Sequence, residues 1–201
     1  MMVKARGTVR PIVNKDLTLA AELADGSVIA GQHLLTGKEN GPITQPVKRV
    51  FLCASQQDTT PVEVEVRRKV KDSIRQAELI CYPMGSFYSS LVANLLPKGV
   101  GDAVAKAACP KVFIPNPGGD PEQLGLSLGE SVRKLLEYLR ASCNKPRPVQ
   151  SLLNFVLLDK NTDIYQHPLG LRQIESMGIT VVHCDLQSRA GAPLFDERAV
   201  I

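Results

Sequence analysis

The chain has 201 residues, 44% of them hydrophobic and 22% charged, with a formal net charge of +4. That is enough chain for one domain with a sizeable core, and the balance excludes a disordered or fibrous protein. Aromatics at 4% leave none of the interleaved basic and stacking residues of a single-strand binder, so no nucleic-acid partner is expected. No apolar run approaches a membrane span, and residues 1–6, MMVKAR, lack the apolar core of a signal peptide. A cytoplasmic protein without a membrane partner is therefore expected. Cys53, Cys81, Cys109, Cys143 and Cys184 include no close pair, which removes zinc and redox spacings. Cys53, Cys81 and Cys184 lie in or beside apolar runs and read as buried small hydrophobes.

In chain order, residues 9–13 lead into the clearest hairpin signal, an alternating pattern on both sides of Asp25-Gly26. Residues 33–46, rich in Gly, Asn and Pro, read as a loop, and residues 47–54 as a strand. Residues 62–66 alternate Val and Glu, compatible with an edge strand, ahead of a helix over 69–76. The basic run of Arg67, Arg68, Lys69 and Lys71 reads as a solvated helix face rather than an anion patch. Residues 79–82 are a nearly unbroken apolar run, a strand buried on both faces, and 87–96 have helical apolar spacing. Residues 101–108 form an alanine-rich helix ended by Pro110, and 111–115 a second buried strand. Over 127–141, Val132, Leu135, Leu136 and Leu139 make the stripe of a covering helix. After a connector at 144–148, residues 152–158 are a third strand, 169–177 a helix closed by Gly178, and 179–183 a fourth strand. Residues 196–201 begin a last helix. Buried strands alternating with helices predict a single α/β domain over 1–201. Its sheet is mostly parallel, doubly wound and Rossmann-like, with an N-terminal β-hairpin.

The centre of this plan is the strand–turn–helix of residues 77–100, AELICYPMGSFYSSLVANLLPKGV. Pro83 stops the strand, Gly85 permits the tight turn and Ser86 is a favoured helix N-cap. Such a junction is either only a turn or a cradle for an anion, because free N–H groups and the positive helix end converge there. Tyr88, Ser89, Ser90 and Asn94 add an unusual density of polar groups. Parallel pairing would bring Asn116 and Asp120, after the second strand, beside Gly85 and Ser86. His33, His167 and His183 have no partners at ligand spacing, and no protein-built metal site is assigned from them. Asp159, Asp163 and Asp185 follow strands and either join Asp120 around a magnesium ion or serve turns. Ser86 lacks the context of a nucleophile elbow, and no catalytic residue is assigned.

The run Ala77-Glu78-Leu79-Ile80, then Gly85-Ser86-Phe87-Tyr88-Ser89-Ser90-Leu91, Asn94-Leu95-Leu96 and Gly99-Val100 resembles the central motif of the CofD-like family. The likeness extends upstream through Leu17 to Leu23 with Asp25-Gly26, and downstream through Lys111-Val112-Phe113 with Asn116-Pro117. Tyr82-Pro83-Met84 stands where the family has Gly-Pro-Gly, and the family's Gly-rich N-terminal half has no counterpart, so the resemblance covers the C-terminal half of the fold. The family includes 2-phospho-L-lactate transferases and gluconeogenesis-factor proteins. The resemblance implies a nucleotide-diphosphate-linked ligand of GDP or UDP type, held with magnesium. It is either a substrate for transfer of a phosphate-linked group or bound by a non-catalytic regulatory or structural module. Gly85, Ser86, Tyr88, Ser89 and Asn116 are the expected phosphate- and nucleotide-binding residues. A missing half would leave a sheet edge or face uncovered, which predicts self-association or a complementing chain.

Overall fold

Asp25 accepts hydrogen bonds from the backbone and hydroxyl of Ser27, and Gly26 takes the left-handed conformation, so the chain reverses as its alternation predicts. Strands β1 (Thr18–Leu23) and β2 (Val28–Ala30) pair antiparallel with Ala20 opposite Ala30. Strand β3 (Val47–Cys53) joins the other side of β1, so the expected hairpin is part of a three-stranded sheet ordered β2-β1-β3. A short helix α1 (Gln32–Leu35) lies in the stretch read as loop, with Leu35 buried. These features come from a computed structural model, which describes residues 7–37, 41–188 and 194–200.

The second sheet is wholly parallel and ordered β4-β5-β6-β7: β4 (Ile80–Tyr82), β5 (Lys111–Phe113), β6 (Phe155–Asp159) and β7 (Thr180–Cys184). Cys81 sits opposite Val112, Val112 opposite Phe155, and Val156 opposite Val181. Helices α2 (Arg68–Arg75), α3 (Val100–Lys106), α4 (Leu128–Ala141) and α5 (Leu171–Ser176) lie between the strands or just before them. A final turn, α6, runs over Glu197–Val200; residue 201, the last of the expected helix, lies outside the described residues, as do 1–6 and 38–40. No helix among the described residues is long and apolar enough to cross a membrane.

Three local expectations change. Residues 62–66 do bury Val64 and Val66 and turn Glu63 and Glu65 outward, where they meet Lys98 and Lys71, but they form no ladder. Val62 donates to Leu52 while Val66 donates to Lys98, so the segment changes partner along its length and bridges singly. Residues 87–96 are not one regular α-helix. They form a π-helical turn, Phe87–Leu91, followed by a 3-10 turn, Val92–Leu95. Most consequentially, β4 is an edge strand. Leu79 is 53% exposed and Cys81 is exposed, whereas Val156 and Leu158 of the interior strand β6 are fully buried.

One continuous core joins the two sheets, running from Ala21 and Val50 through Val92, Leu135 and Leu139 to Val156 and Leu158. Helix α4 is its main wall. It opens on a full capping box, Ser127 with Glu130, and buries the Val132, Leu135, Leu136 and Leu139 stripe that the sequence predicts. From the same helix the hydroxyl of Tyr138 accepts the Val50 N–H at 2.8 Å, tying β3 to the parallel unit.

Candidate functional site

The turn that ends β4 is where free main-chain donors are expected, and those donors are occupied. The Phe87 N–H donates to Asp120 Oδ2 at 2.6 Å; the Tyr88 and Ser89 N–H groups donate to Glu122 Oε2 at 2.7 and 2.8 Å. The Ser89 hydroxyl donates to Glu122 Oε1 at 2.5 Å. Glu122 lies in the short 3-10 helix Pro121–Gln123 that follows β5, and Asp120 is the residue before it, capping its start as Oδ1 accepts from the Glu122 N–H. Parallel pairing of β4 with β5 therefore does bring the two strand ends together, and the chain supplies its own anions to the positive end of the turn.

Those carboxylates are buried, Glu122 to 1% exposure and Asp120 to 4%. Burial pushes both upward from the ordinary carboxylate range, against the donated N–H bonds that pull the other way; the Asp120 charge adds to the rise at Glu122. A phosphate brought to these N–H groups would have to displace the acids. The turn acts as an internal latch, and a reading in which its N–H groups stand free does not hold. Sequence reasoning singled out Asp120 but passed over Glu122. The signal was present in Asp120-Pro121-Glu122, a capped helix start with an acid in its first turn, placed after the strand that pairs with β4.

The expected site residues divide accordingly. Tyr88 is wholly buried, edge-to-face with Phe87 at 4.9 Å and with Tyr138 at 6.4 Å, and burial raises its phenol well above the usual value. Its hydroxyl has no hydrogen-bond partner among the described residues. Ser89 serves Glu122. Gly85 and Ser86 remain half-buried at the rim of the turn, where the Ser86 carbonyl accepts from Ser90 and Leu91. Asn116 lines a narrow crevice beyond the ends of β5 and β6, with Gln123, Tyr165, Gln166 and His167, and neither Tyr88 nor Ser89 is among its described lining residues. Asn116 Oδ1 accepts from Gly118, and Gln123 donates to Ser131. The Nε2 of His167 is buried there without a hydrogen-bond partner among the described residues. Gln166 presses against Gly119 so closely that a Cβ on that glycine would collide with its amide oxygen. The loops after β5 and β6 are thus in contact across the crevice. No Lys or Arg among the described residues lines it.

The acids at the other strand ends do not gather. Asp159 spends Oδ1 on the Asn161 N–H and Oδ2 on those of Leu186 and Gln187, while Asp185 pairs with Lys160 at 2.7 Å. No group of three His, Cys, Asp or Glu able to hold a metal ion occurs among the described residues. The side chains do not fit a protein-built magnesium cage, and Asp159 takes the turn role.

The family profile described as "2-phospho-L-lactate transferase CofD" matches residues 1–193. The chain belongs to the CofD family. The gluconeogenesis factor of Bacillus subtilis is 35% identical over 139 residues, 69% of this chain and 40% of that protein. That of Listeria monocytogenes is 26% identical over 193 residues, 93% of this chain and 55% of the other. In structure, the CofD-family chain is similar to a crystallised UPF0052-family protein of Bacillus halodurans, with a TM-score of 0.68 at 21% identity. That match covers 90% of this chain and 56% of the other, and at this identity it speaks to the fold alone. The chain thus spans about half the length of the relatives it matches.

Proposed function

We propose that this CofD-family chain works in the cytoplasm and binds a nucleotide-diphosphate-linked ligand of GDP or UDP type at the carboxyl ends of β4, β5 and β6. The observation that carries the reading is the crevice of Asn116, Gln166 and His167, placed where open α/β sheets take ligands and holding an unsatisfied imidazole nitrogen. Its described lining offers amides and an imidazole without a cation, and its room of about 20 Å³ suits one uncharged polar group of the ligand, such as a sugar hydroxyl, rather than a whole base. The diphosphate then lies outward, toward Gly85 and Ser86. Magnesium enters with the phosphates, as that ion usually does, rather than in a cage of side chains.

A regulatory binding role is favoured over transfer chemistry. Relatives at up to 35% identity are named gluconeogenesis factors, and the groups at the turn are committed to internal bonds. The second reading, transfer of a phosphate-linked group like that of a phospholactate transferase, is supported by the description of the matching family.

Thermal unfolding with GDP, UDP and nucleotide sugars, each with and without magnesium, tests the proposal. At a ligand concentration about 100 times Kd the stabilisation is about 2.7 kcal/mol. For a chain of this size that raises Tm by roughly 5–10 °C. The shift is expected to vanish in Asn116→Ala and His167→Ala while their unliganded Tm stays near the parent value. No shift at millimolar ligand, or a shift unchanged in both variants, overturns the site.

A further inference from the structure

Residues 62–66 leave a gap beside β3. Val62 donates to the Leu52 carbonyl at 2.8 Å, but by Val64 the segment has changed partner: the Val64 carbonyl accepts from Lys98, and the Val66 N–H donates to the Lys98 carbonyl. On β3 itself the Val50 N–H is taken by the Tyr138 hydroxyl, so Val50 and Leu52 both turn their main-chain groups away from β1. The Val50 carbonyl and the Leu52 N–H, which flank Phe51, are left without a partner among the described residues. Val50 is nevertheless only 4% exposed, and buried main-chain groups are nearly always paired. Both residues line a cavity of about 310 Å³, whose walls include Val62, Val64, Leu96 and, from the end of α4, Tyr138 and Ala141. Lys98 lines it too, its ammonium 3.2 Å from the Ala141 carbonyl and 3.6 Å from a Glu63 carboxylate that is 82% exposed.

We propose that this cavity binds a small peptide-like molecule with a free carboxylate, of the size of an N-acylated dipeptide. One of its residues lies parallel to β3 opposite Phe51, its N–H donating to the Val50 carbonyl and its carbonyl accepting from the Leu52 N–H. Its apolar side chain packs on Val64 and Leu96. The carboxylate of the following residue meets the Lys98 ammonium, whose present acidic partner is loosely held and largely in solvent. The ladder is closed on both sides of this slot, by Tyr138 at the Val50 N–H and by Val62 at the Leu52 carbonyl. An extended strand of another protein would need those two groups as well, so the slot admits a single residue and selects a small molecule over a polypeptide. The volume agrees, since it lies at the lower end of the range for small-molecule pockets. The cavity shares no described lining residue with the crevice of Asn116 and His167, and this inference does not depend on the nucleotide ligand proposed there.

The test is titration of the full chain with N-acetyl-valyl-alanine, followed by backbone amide NMR. A saturable shift is expected at Leu52, with its amide exchange slowing as the site fills. An analogue with an ester oxygen in place of the valyl N–H loses the bond to Val50, and the C-terminal carboxamide loses the charge; each is expected to bind roughly 10-fold or more weakly. Lys98→Met should weaken the carboxylate by a similar factor and leave the carboxamide unchanged, a split that general damage to the fold does not produce. Ala141→Trp, at the exposed end of α4, puts bulk into the cavity and should abolish the shift while leaving Tm close to the parent value. No saturable shift at Leu52 at about 10 mM peptide overturns the site. Equal binding of the ester analogue overturns the pairing with β3, and a carboxylate preference that survives Lys98→Met overturns the role of that ammonium. Tighter binding of the same sequence within a longer extended peptide would make the occupant a polypeptide and overturn the choice of a small molecule.

Discussion

Glu122 is the residue on which the central turn depends. One carboxylate satisfies two backbone N–H groups and a serine hydroxyl in a site closed to water. Glu122→Ala leaves three donors orphaned, at about 1–3 kcal/mol for each buried group, and urea unfolding is expected to show a loss of several kcal/mol. Glu122→Gln keeps an acceptor for the two N–H groups and can donate to Ser89, so its cost is expected to be far smaller. The pair also differs with pH. Because burial raises the folded value above the ordinary 4.5, the folded chain binds this proton more tightly than the unfolded chain. The contribution is therefore most favourable below the ordinary value and is lost as pH rises through the folded one. Subtracting the Glu122→Gln profile from the parent profile should give a difference that falls with rising pH across that window; a flat difference would refute the raised value. Buried acids are poorly legible in sequence, since Asp and Glu beside Pro and Gly read as exposed loop, and Glu122 stayed hidden for that reason.

The elements best read from sequence are those whose own residues determine them. Helix α4 announces its start in Ser127 and Glu130 and its buried face in a stripe of four apolar residues, and both are present. Ser127→Ala is expected to cost about 1 kcal/mol in denaturant unfolding with an unchanged m value. At the other end of α4, Gly101 of α3 touches the helix directly. A Cβ there would overlap the Leu139 carbonyl and lie 2.6 Å from the Cys143 sulfur. Gly101→Ala should lower stability by about 1–3 kcal/mol, although alanine is the better helix former. The π-helical turn was not legible because its geometry is imposed from outside, by Asp120 and Glu122 drawing on three successive N–H groups. The ladder expected at residues 62–66 failed for a related reason: alternation shows which side is buried but not whether a neighbouring strand runs alongside.

At the scale of the molecule, the sequence conveyed the parallel α/β sheet, the hairpin and the family motif, because strand and helix runs alternate with clear punctuation. It did not convey that β4 is an edge. An apolar run such as Leu79 to Tyr82 reports the contacts its side chains favour, not the strands that one chain supplies. The joint between the two sheets was equally hidden, since it rests on a phenol 88 residues from the amide it serves. Tyr138→Phe removes that acceptor and leaves the Val50 N–H without its bond. A loss of about 1–3 kcal/mol is expected, with amide exchange quickening in β1 to β3 more than in β6 and β7. Uniform quickening in both sheets would mean that the phenol is not their joint.

The order β4-β5-β6-β7 has a bearing on biosynthesis. As the nascent polypeptide leaves the ribosome, each new strand can dock on the one made immediately before it, and no slot between two earlier strands has to be held open. Growth of this kind is vectorial, and at each stage its exposed flank is the newest strand, which the next one soon shields. The flank along Cys81 is the exception, because no later strand among the described residues pairs with it.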